Sequence, residues 1–299
     1  MRDGNAMQRR ATILHDHRSE LGEGAAVDPV TRQLRWFDIN GKRRVEYDFA
    51  TGGVSVAELP EMTSAGAAVD AASEMIFAQS GLWLRNRATG GLEVLAAIEA
   101  DRPDLRSNDG RTHPCGAFWC STMALDKTEG AGSIYWFFKG EVRTLYPNLT
   151  VGNAICFAED GSYAHFSDTP TGKIWKVALD PSTGLPVAEP ELFHQAGEDD
   201  PSGPDGAVLD RDGLLYSARW GGARVDVIDR EGRTIGRIET GAPNTTCPAF
   251  CGEDLASLAI ATARDELNAA QLLLHADSGR THIIEAGCRG RLDPPVLLG

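Results

Sequence analysis

Short runs in which every second residue is apolar, each cut off by glycine, aspartate or proline, recur along the whole 299-residue chain. Alternation at period two marks half-buried strands, and no long stretch holds the 3.6-residue period of an amphipathic helix. Aligned on their turns, the runs form six copies of one unit: strand, Asp/Gly turn, strand, Gly turn, strand. The copies open as GEGAAVDPVTRQLRWFDI, SAGAAVDAASEMIFAQ, SNDGRTHPCGAFWCST, GNAICFAEDGSYAHFSD, PDGAVLDRDGLLYSARW and TCPAFCGEDLASLAIAT. Several continue into a second strand pair, such as KRRVEYDFATGG, GKIWKVALDPSTG and ARVDVIDREG. A spacing of roughly 40–50 residues is that of propeller blades with four antiparallel strands. The expectation is an all-β, six-bladed β-propeller occupying residues 1–299 as one domain, with the first ~10 residues a flexible extension. A two-sheet sandwich would need the even turn spacing to be coincidence. In a closed ring the strand Ala11-Thr12-Ile13-Leu14 should pair with the last blade and hide its edge.

Registering the copies on their apolar-to-turn junctions (Asp28, Asp70, His113, Ala158, Asp210, Cys251) picks out the residues five positions earlier: Glu23, Ala65, Asn108, Asn153, Asp205 and Thr246. These should start the innermost strands and face the central channel from one end. Four of them carry a carboxylate or an amide. Inward-facing oxygens are costly to desolvate unless something satisfies them, and a divalent cation does so directly. An all-oxygen set favours a hard or borderline ion such as Ca²⁺, Mg²⁺ or Mn²⁺, with Zn²⁺ and iron also admissible. The alternative is a polar ring filled by water.

The formal net charge of −14 argues against nucleic-acid and anionic-membrane partners. The N-terminal stretch lacks the apolar core of a secretory signal, no run is long enough to span a bilayer, and the expected location is the cytoplasm. The six cysteines form no CxxC pair and are expected to be reduced strand residues. The glycine-rich run ending at Gly132 lacks a βαβ context for a phosphate loop, and no G-x-S-x-G elbow is present. None of the seven histidines forms an H-x-x-x-H pair, although His113 lies near the richest motif as a candidate proton relay.

That motif, RSNDGRTHPCGAFWCSTM (Arg106 to Met123), together with LGEG at Leu21–Gly24, GNAICFAEDG, PDGAVLDRDG and WGGARV, resembles the ordered motifs of the regucalcin/senescence-marker/gluconolactonase family of six-bladed sugar lactonases. The resemblance runs from about Leu14 to the C-terminus. It implies a central site in which Glu23, Asn153 and Asp205 hold one divalent metal, Arg106 and Asn108 contact substrate, and Asp126 binds sugar hydroxyls. The chain departs from the pattern at Ala25-Ala26-Val27, where Pro and Trp are usual, at Ala154 and at Ser121, where Gly is usual. None of these removes a proposed ligand.

The implied reaction is hydrolysis of a small sugar-acid lactone, with Asp205 as candidate general base. A monomer or weak homo-oligomer is expected. The antiparallel meander should bring Asp38-Ile39-Asn40, Asp126, Asp168-Thr169, Arg219-Trp220 and Arg264-Asp265 to the pocket rim. Arg219 beside Trp220 suits a sugar diacid's carboxylate and ring face; the plain alternative is a solvated arginine at a hairpin tip. Two rival functions are a phosphotriesterase or arylesterase on the same scaffold, and a non-enzymatic calcium-binding propeller.

Overall fold

Six small-residue strands converge on one axis, and their composition explains why they can. In the computed structural model, which describes residues 7–299 except 198, the inner strands are Gly22–Val27, Thr63–Ala68, Leu105–Thr112, Gly152–Phe157, Gly203–Leu209 and Asn244–Cys251. Neighbouring inner strands approach too closely for large side chains. A Cβ on Gly24, whose φ is +60°, would stand 2.0 Å from the Ser64 carbonyl oxygen, and one on Gly206 would stand 2.8 Å from that of Thr246. Each inner strand begins a four-stranded antiparallel meander, giving the expected six-bladed propeller, nearly all-β. The exceptions are a six-residue helix, Ala269–Leu274, and one 3-10 turn.

The wedges between blades widen outward and are filled by aromatics of the second strands, including the fully buried Phe37, Phe77 and Trp119. Burying each such ring contributes about 1.5–3 kcal/mol. Between the first two blades the filling is ionic instead. Buried Glu74 accepts from Arg44 and Arg85 at 2.8 and 2.9 Å, and Arg35 lies 3.4 Å away. Removing Glu74 would strand buried guanidinium groups, a change that typically costs about 3–5 kcal/mol.

Ring closure follows expectation. Thr12–Ile13 pairs antiparallel with His282–Glu285, completing the last blade with the chain's own beginning. Residues 1–6 lie outside the described residues, but Met7–Arg10 is a strand, added parallel to Thr234–Glu239 as a fifth strand of the neighbouring blade.

The C-terminal tail crosses the end of the channel remote from the inner-strand starts. Arg291 donates to the Phe157 carbonyl (2.8 Å), Arg111 pairs with Asp293 (2.8 Å), and the amides of Val296 and Leu297 donate to Ala68 and Gly116. All six cysteines are free, and among the described residues no helix is long and apolar enough to cross a membrane.

Candidate active site

Every inner strand carries a one-residue bulge near its start: the register slips between Glu23 and Ala26, Thr63 and Ala65, Ser107 and Gly110, Asn153 and Cys156, Pro204 and Ala207, and Thr245 and Pro248. A bulge bends its strand and re-aims the side chains beside it. Repeated around the ring, it directs Glu23, Asn108, Asn153 and Asp205 into one cavity of about 550 Å³, with Arg106 on its wall. Two bulges are completed by a residue in the left-handed region. Gly24 takes it freely, but Ala154 sits at φ +55°, which costs a residue with a Cβ roughly 1–2 kcal/mol.

The side chains hold one another in register. Thr169 Oγ1 donates to the Pro204 carbonyl (2.8 Å) and so accepts from Asn153 Nδ2 (2.9 Å). That fixes the Asn153 amide with its oxygen turned to Asn108, whose Nδ2 donates to it (3.1 Å) and to the Gly152 carbonyl (2.9 Å). Arg106 donates to Asn108 Oδ1 (2.9 Å) and to the Ser107 carbonyl (2.8 Å). Asn108 therefore orients both Arg106 and Asn153, a bridging role beyond the substrate contact expected of it.

Glu23 and Asp205 are almost fully buried and lie close enough to hydrogen-bond through a proton. Burial, foremost, then the charges of Asp205 and Asp109 push the Glu23 carboxyl well above its usual range. Burial and the charge of Asp109 do the same to Asp205. Local amides and the charge of Arg106 oppose the shift without reversing it: Gly24 N–H lies 3.2 Å from Glu23 and Gly206 N–H 3.0 Å from Asp205. No guanidinium or ammonium among the described residues makes an ion pair with either. Two buried carboxylates and a pre-aimed amide oxygen form a donor set that a hard divalent cation satisfies, so the residues present fit such an ion. Among the described residues no group of three His, Cys, Asp or Glu is so placed; the third donor here is an amide.

The other expected residues divide. Thr169, Trp220 and Asp265 reach the cavity, with Lys127 and Glu266, which sequence reasoning did not single out. Lys127, from the third blade, pairs with Glu266, from the sixth, and its ammonium lies 5.7 Å from the Trp220 ring centroid. Asp126 is not brought in: it is exposed, outside the cavity lining, and its Oδ1 accepts from Thr128 N and Oγ1 at 2.9 and 2.7 Å. Asp38 and Asp168 are likewise used by backbone amides of Leu21 and Val151.

Arg219 is neither a solvated tip nor a pocket cation. It is fully buried, donates to Ser202 Oγ (3.1 Å) and to the Ser202 carbonyl (2.5 Å), and lies 3.6 Å from Asp226. It anchors the segment that carries Asp200 and Ser202 along the cavity wall. His113 is buried against Phe157 and bonded to the Gly161 carbonyl (3.0 Å), remote from the inner-strand starts.

Sequence reasoning also passed over Asp109. Its Oδ2 accepts from Ile155 N (2.9 Å) and its Oδ1 from Gly110 N (2.8 Å), so it ties two blades beneath the site while adding negative charge to it. Ser121 supports it, accepting from Asp109 N and donating to the Gly152 carbonyl (2.7 Å).

A family model described as SMP-30/gluconolactonase/LRE-like region matches residues 21–264. The chain belongs to this family. Among SMP-30/gluconolactonase-like relatives, a protein of Rhizobium meliloti provisionally named sugar lactone lactonase is 37% identical, over 95% of this chain and 96% of its own. The pentonolactonase of Haloferax volcanii is 32% identical, over 84% of each chain. The solved structure of regucalcin from Agrobacterium tumefaciens, described as a calcium-binding protein, is 37% identical and superimposes with a TM-score of 0.94, over 97% of this chain and 98% of that one.

Proposed function

We propose that this chain is a cytoplasmic lactonase that opens a sugar-acid lactone, aldono- or aldaro-, in the cavity at the inner-strand starts. The observation that carries the proposal is the buried Glu23–Asp205 pair, with no cation in ion-pair contact among the described residues, in a cavity that also holds Arg106. Naming of family members as lactonases supports the reaction class, and the calcium-binding description of the Agrobacterium protein supports Ca²⁺.

Glu23, Asn153 and Asp205 would hold one divalent ion, Ca²⁺ by donor chemistry, with Zn²⁺, Mn²⁺, Mg²⁺ or iron as substitutes. Such an ion supplies Lewis acidity toward an ester carbonyl and lowers the pKa of a bound water.

The chain's own groups do the rest. Arg106, held flat by Ser107 and Asn108, presents its remaining N–H groups to the substrate's carbonyl or hydroxyl oxygens. The oxygen of Asp205 not bonded to Gly206 N–H takes the proton from the attacking water as the water oxygen bonds to the carbonyl carbon. The ring C–O bond then breaks, and the departing alkoxide takes the proton back from Asp205 to give the hydroxy acid and restore the base. Trp220 offers an apolar face for the sugar ring, and Lys127 with Glu266 covers the mouth.

Proton release is the test, measured on a panel of aldono- and aldarolactones with chelator and metal add-back, for wild type and Asp205→Ala. Turnover that disappears with chelator, returns with metal, and is absent in Asp205→Ala is expected. Full activity in Asp205→Ala would remove its role as base. Metal-dependent thermal stabilisation without turnover on any lactone would leave a binding protein instead.

A further inference from the structure

The lactone cavity has an acceptor that the chain itself leaves largely unused. Asp265 follows the second strand of the sixth blade, Ser257–Ala263, and its backbone is fixed on both sides. Its N–H donates to the Glu20 carbonyl (3.0 Å), and its own carbonyl accepts from Asn244 Nδ2 (2.7 Å). Asn244 is buried at the start of the same blade's inner strand, so Asp265 is carried on a firm support. The residue lines the cavity and is half-buried. Among the described residues its carboxylate makes no ion pair and accepts from no side chain; only the adjoining Glu266 N–H donates to it. A carboxylate so placed keeps acceptor capacity for a ligand.

The other charged groups on the cavity wall are already engaged. Glu23 and Asp205 form the buried pair. Asp200 accepts from Ser202 N (3.0 Å), from Ser202 Oγ (2.6 Å) and from Arg224. Lys127 and Glu266 neutralise each other. Arg106 uses one nitrogen on Ser107 and Asn108 and keeps its other N–H groups for substrate. Burial, then the charge of Glu266, pushes the Asp265 carboxyl up, while Arg106 and Lys127 pull it down, so Asp265 stands in the field of both cations. The wall thus carries five carboxylates against two cations. With a divalent ion on the buried pair, an entering carboxylate still finds, among the described residues of the wall, no unpaired cation besides Arg106. Arg106 and Asp265 stand on the third and sixth blades, which face each other across the ring.

We propose that Asp265 binds the sugar hydroxyls on the side of the cavity opposite Arg106, and that it makes the site selective for uncharged aldonolactones over lactones bearing a second carboxylate. The proposal rests on the lactone chemistry assigned to this cavity and narrows its substrate class. Hydroxyls donate, an ionised carboxylate only accepts, and the resulting O–H···O⁻ bonds are charge-assisted. A second carboxylate brought to the same place meets like charge and finds no donor, which is discrimination by repulsion as well as by attraction.

The test compares kcat and KM for gluconolactone and for glucarolactone, its counterpart with a second carboxylate, by proton release at neutral pH in saturating Ca²⁺. Wild type, Asp265→Asn and Asp265→Ala are measured, with the melting temperature of each. Wild type is expected to favour gluconolactone at least tenfold in kcat/KM. Asp265→Ala should lose at least tenfold on gluconolactone, mostly through KM, and lose little or gain on glucarolactone, with melting unchanged. Asp265→Asn, which keeps an acceptor oxygen without the charge, should retain more gluconolactone turnover than Asp265→Ala and gain on glucarolactone. A wild type that treats the two alike or prefers glucarolactone, or an equal loss on both in Asp265→Ala, overturns the proposal and leaves the lactonase function standing. Turnover of neither by wild type overturns the proposal, and turnover of no lactone in the wider panel overturns the reaction class with it.

Discussion

Consider Asp205→Asn in protein stripped of divalent ions. In the wild type, folding forces two carboxylates together in a buried site. At about 4 Å and an effective dielectric near 20 their repulsion is about 4 kcal/mol. Sharing one proton sheds much of this, so the variant should be more stable than metal-free wild type by roughly 1–3 kcal/mol at neutral pH. Unfolding entropy of about 2.1 cal/mol/K per residue makes 1 kcal/mol worth about 1.6 °C in a chain of 299 residues. The expected rise is therefore about 2–5 °C by calorimetry in chelator. Saturating metal at 100 times its dissociation constant should add about 2.7 kcal/mol to wild type and far less to the variant, reversing the order.

The pH sign is also fixed. Folded-state pKa values raised above the unfolded ones mean that this contribution to stability is fully present below about pH 4 and lost as pH rises through the raised values. The advantage of Asp205→Asn should shrink on acidification from neutral. A metal-free variant less stable than wild type, together with a wild type whose melting is indifferent to chelator, would refute the claim that this pair is built around a cation.

Other consequences follow from the same structure. Ala154→Gly relieves a left-handed alanine, with the gain partly offset by backbone entropy, so a stabilisation of about 0.5–1 kcal/mol is expected in chemical denaturation, with kcat unchanged within a few-fold. Arg219→Ala should lose about 2–4 kcal/mol of stability and reduce turnover of mono- and diacid lactones alike; loss confined to diacids would restore a substrate-carboxylate role. Burial alone would raise the Glu74 carboxyl, but Arg44 and Arg35 outweigh it and hold the value below normal. Its stabilisation is thus present above about pH 4.5 and lost as pH falls through the depressed value, a slope that Glu74→Gln should flatten in acid denaturation.

Where the sequence succeeded, one rule repeated six times. Glu23, Asn108, Asn153 and Asp205 share a register, so aligning turns was enough to find them, although nothing in the residues announced the bulge that turns them inward. Asp109 was missed for the same reason: strict alternation sends it away from Asn108, and only the slip between Ser107 and Gly110 returns it beneath the site. Asp126 sits beside the residue that reaches the mouth, Lys127, a one-position distinction set by the turn around Thr128. Arg219 was legible as a cation near a rim but not as a buried one, because its hydrogen-bond partner Ser202 lies in an irregular segment without periodicity. Lys127 and Glu266 meet only because blades far apart in sequence face each other across a ring.

That ring has its clasp at both extremities of the polypeptide. Thr12–Ile13 must wait for His282–Glu285, and the closing residues beyond Gly290 lash together blades made long before them. Synthesis can deliver five blades and still leave an open arc with a bare sheet face at each side. Assembly therefore waits for His282–Glu285 and the residues after them, and cutting away Thr12–Ile13 or that tail attacks the circle itself, however distant the cut lies from the chemistry.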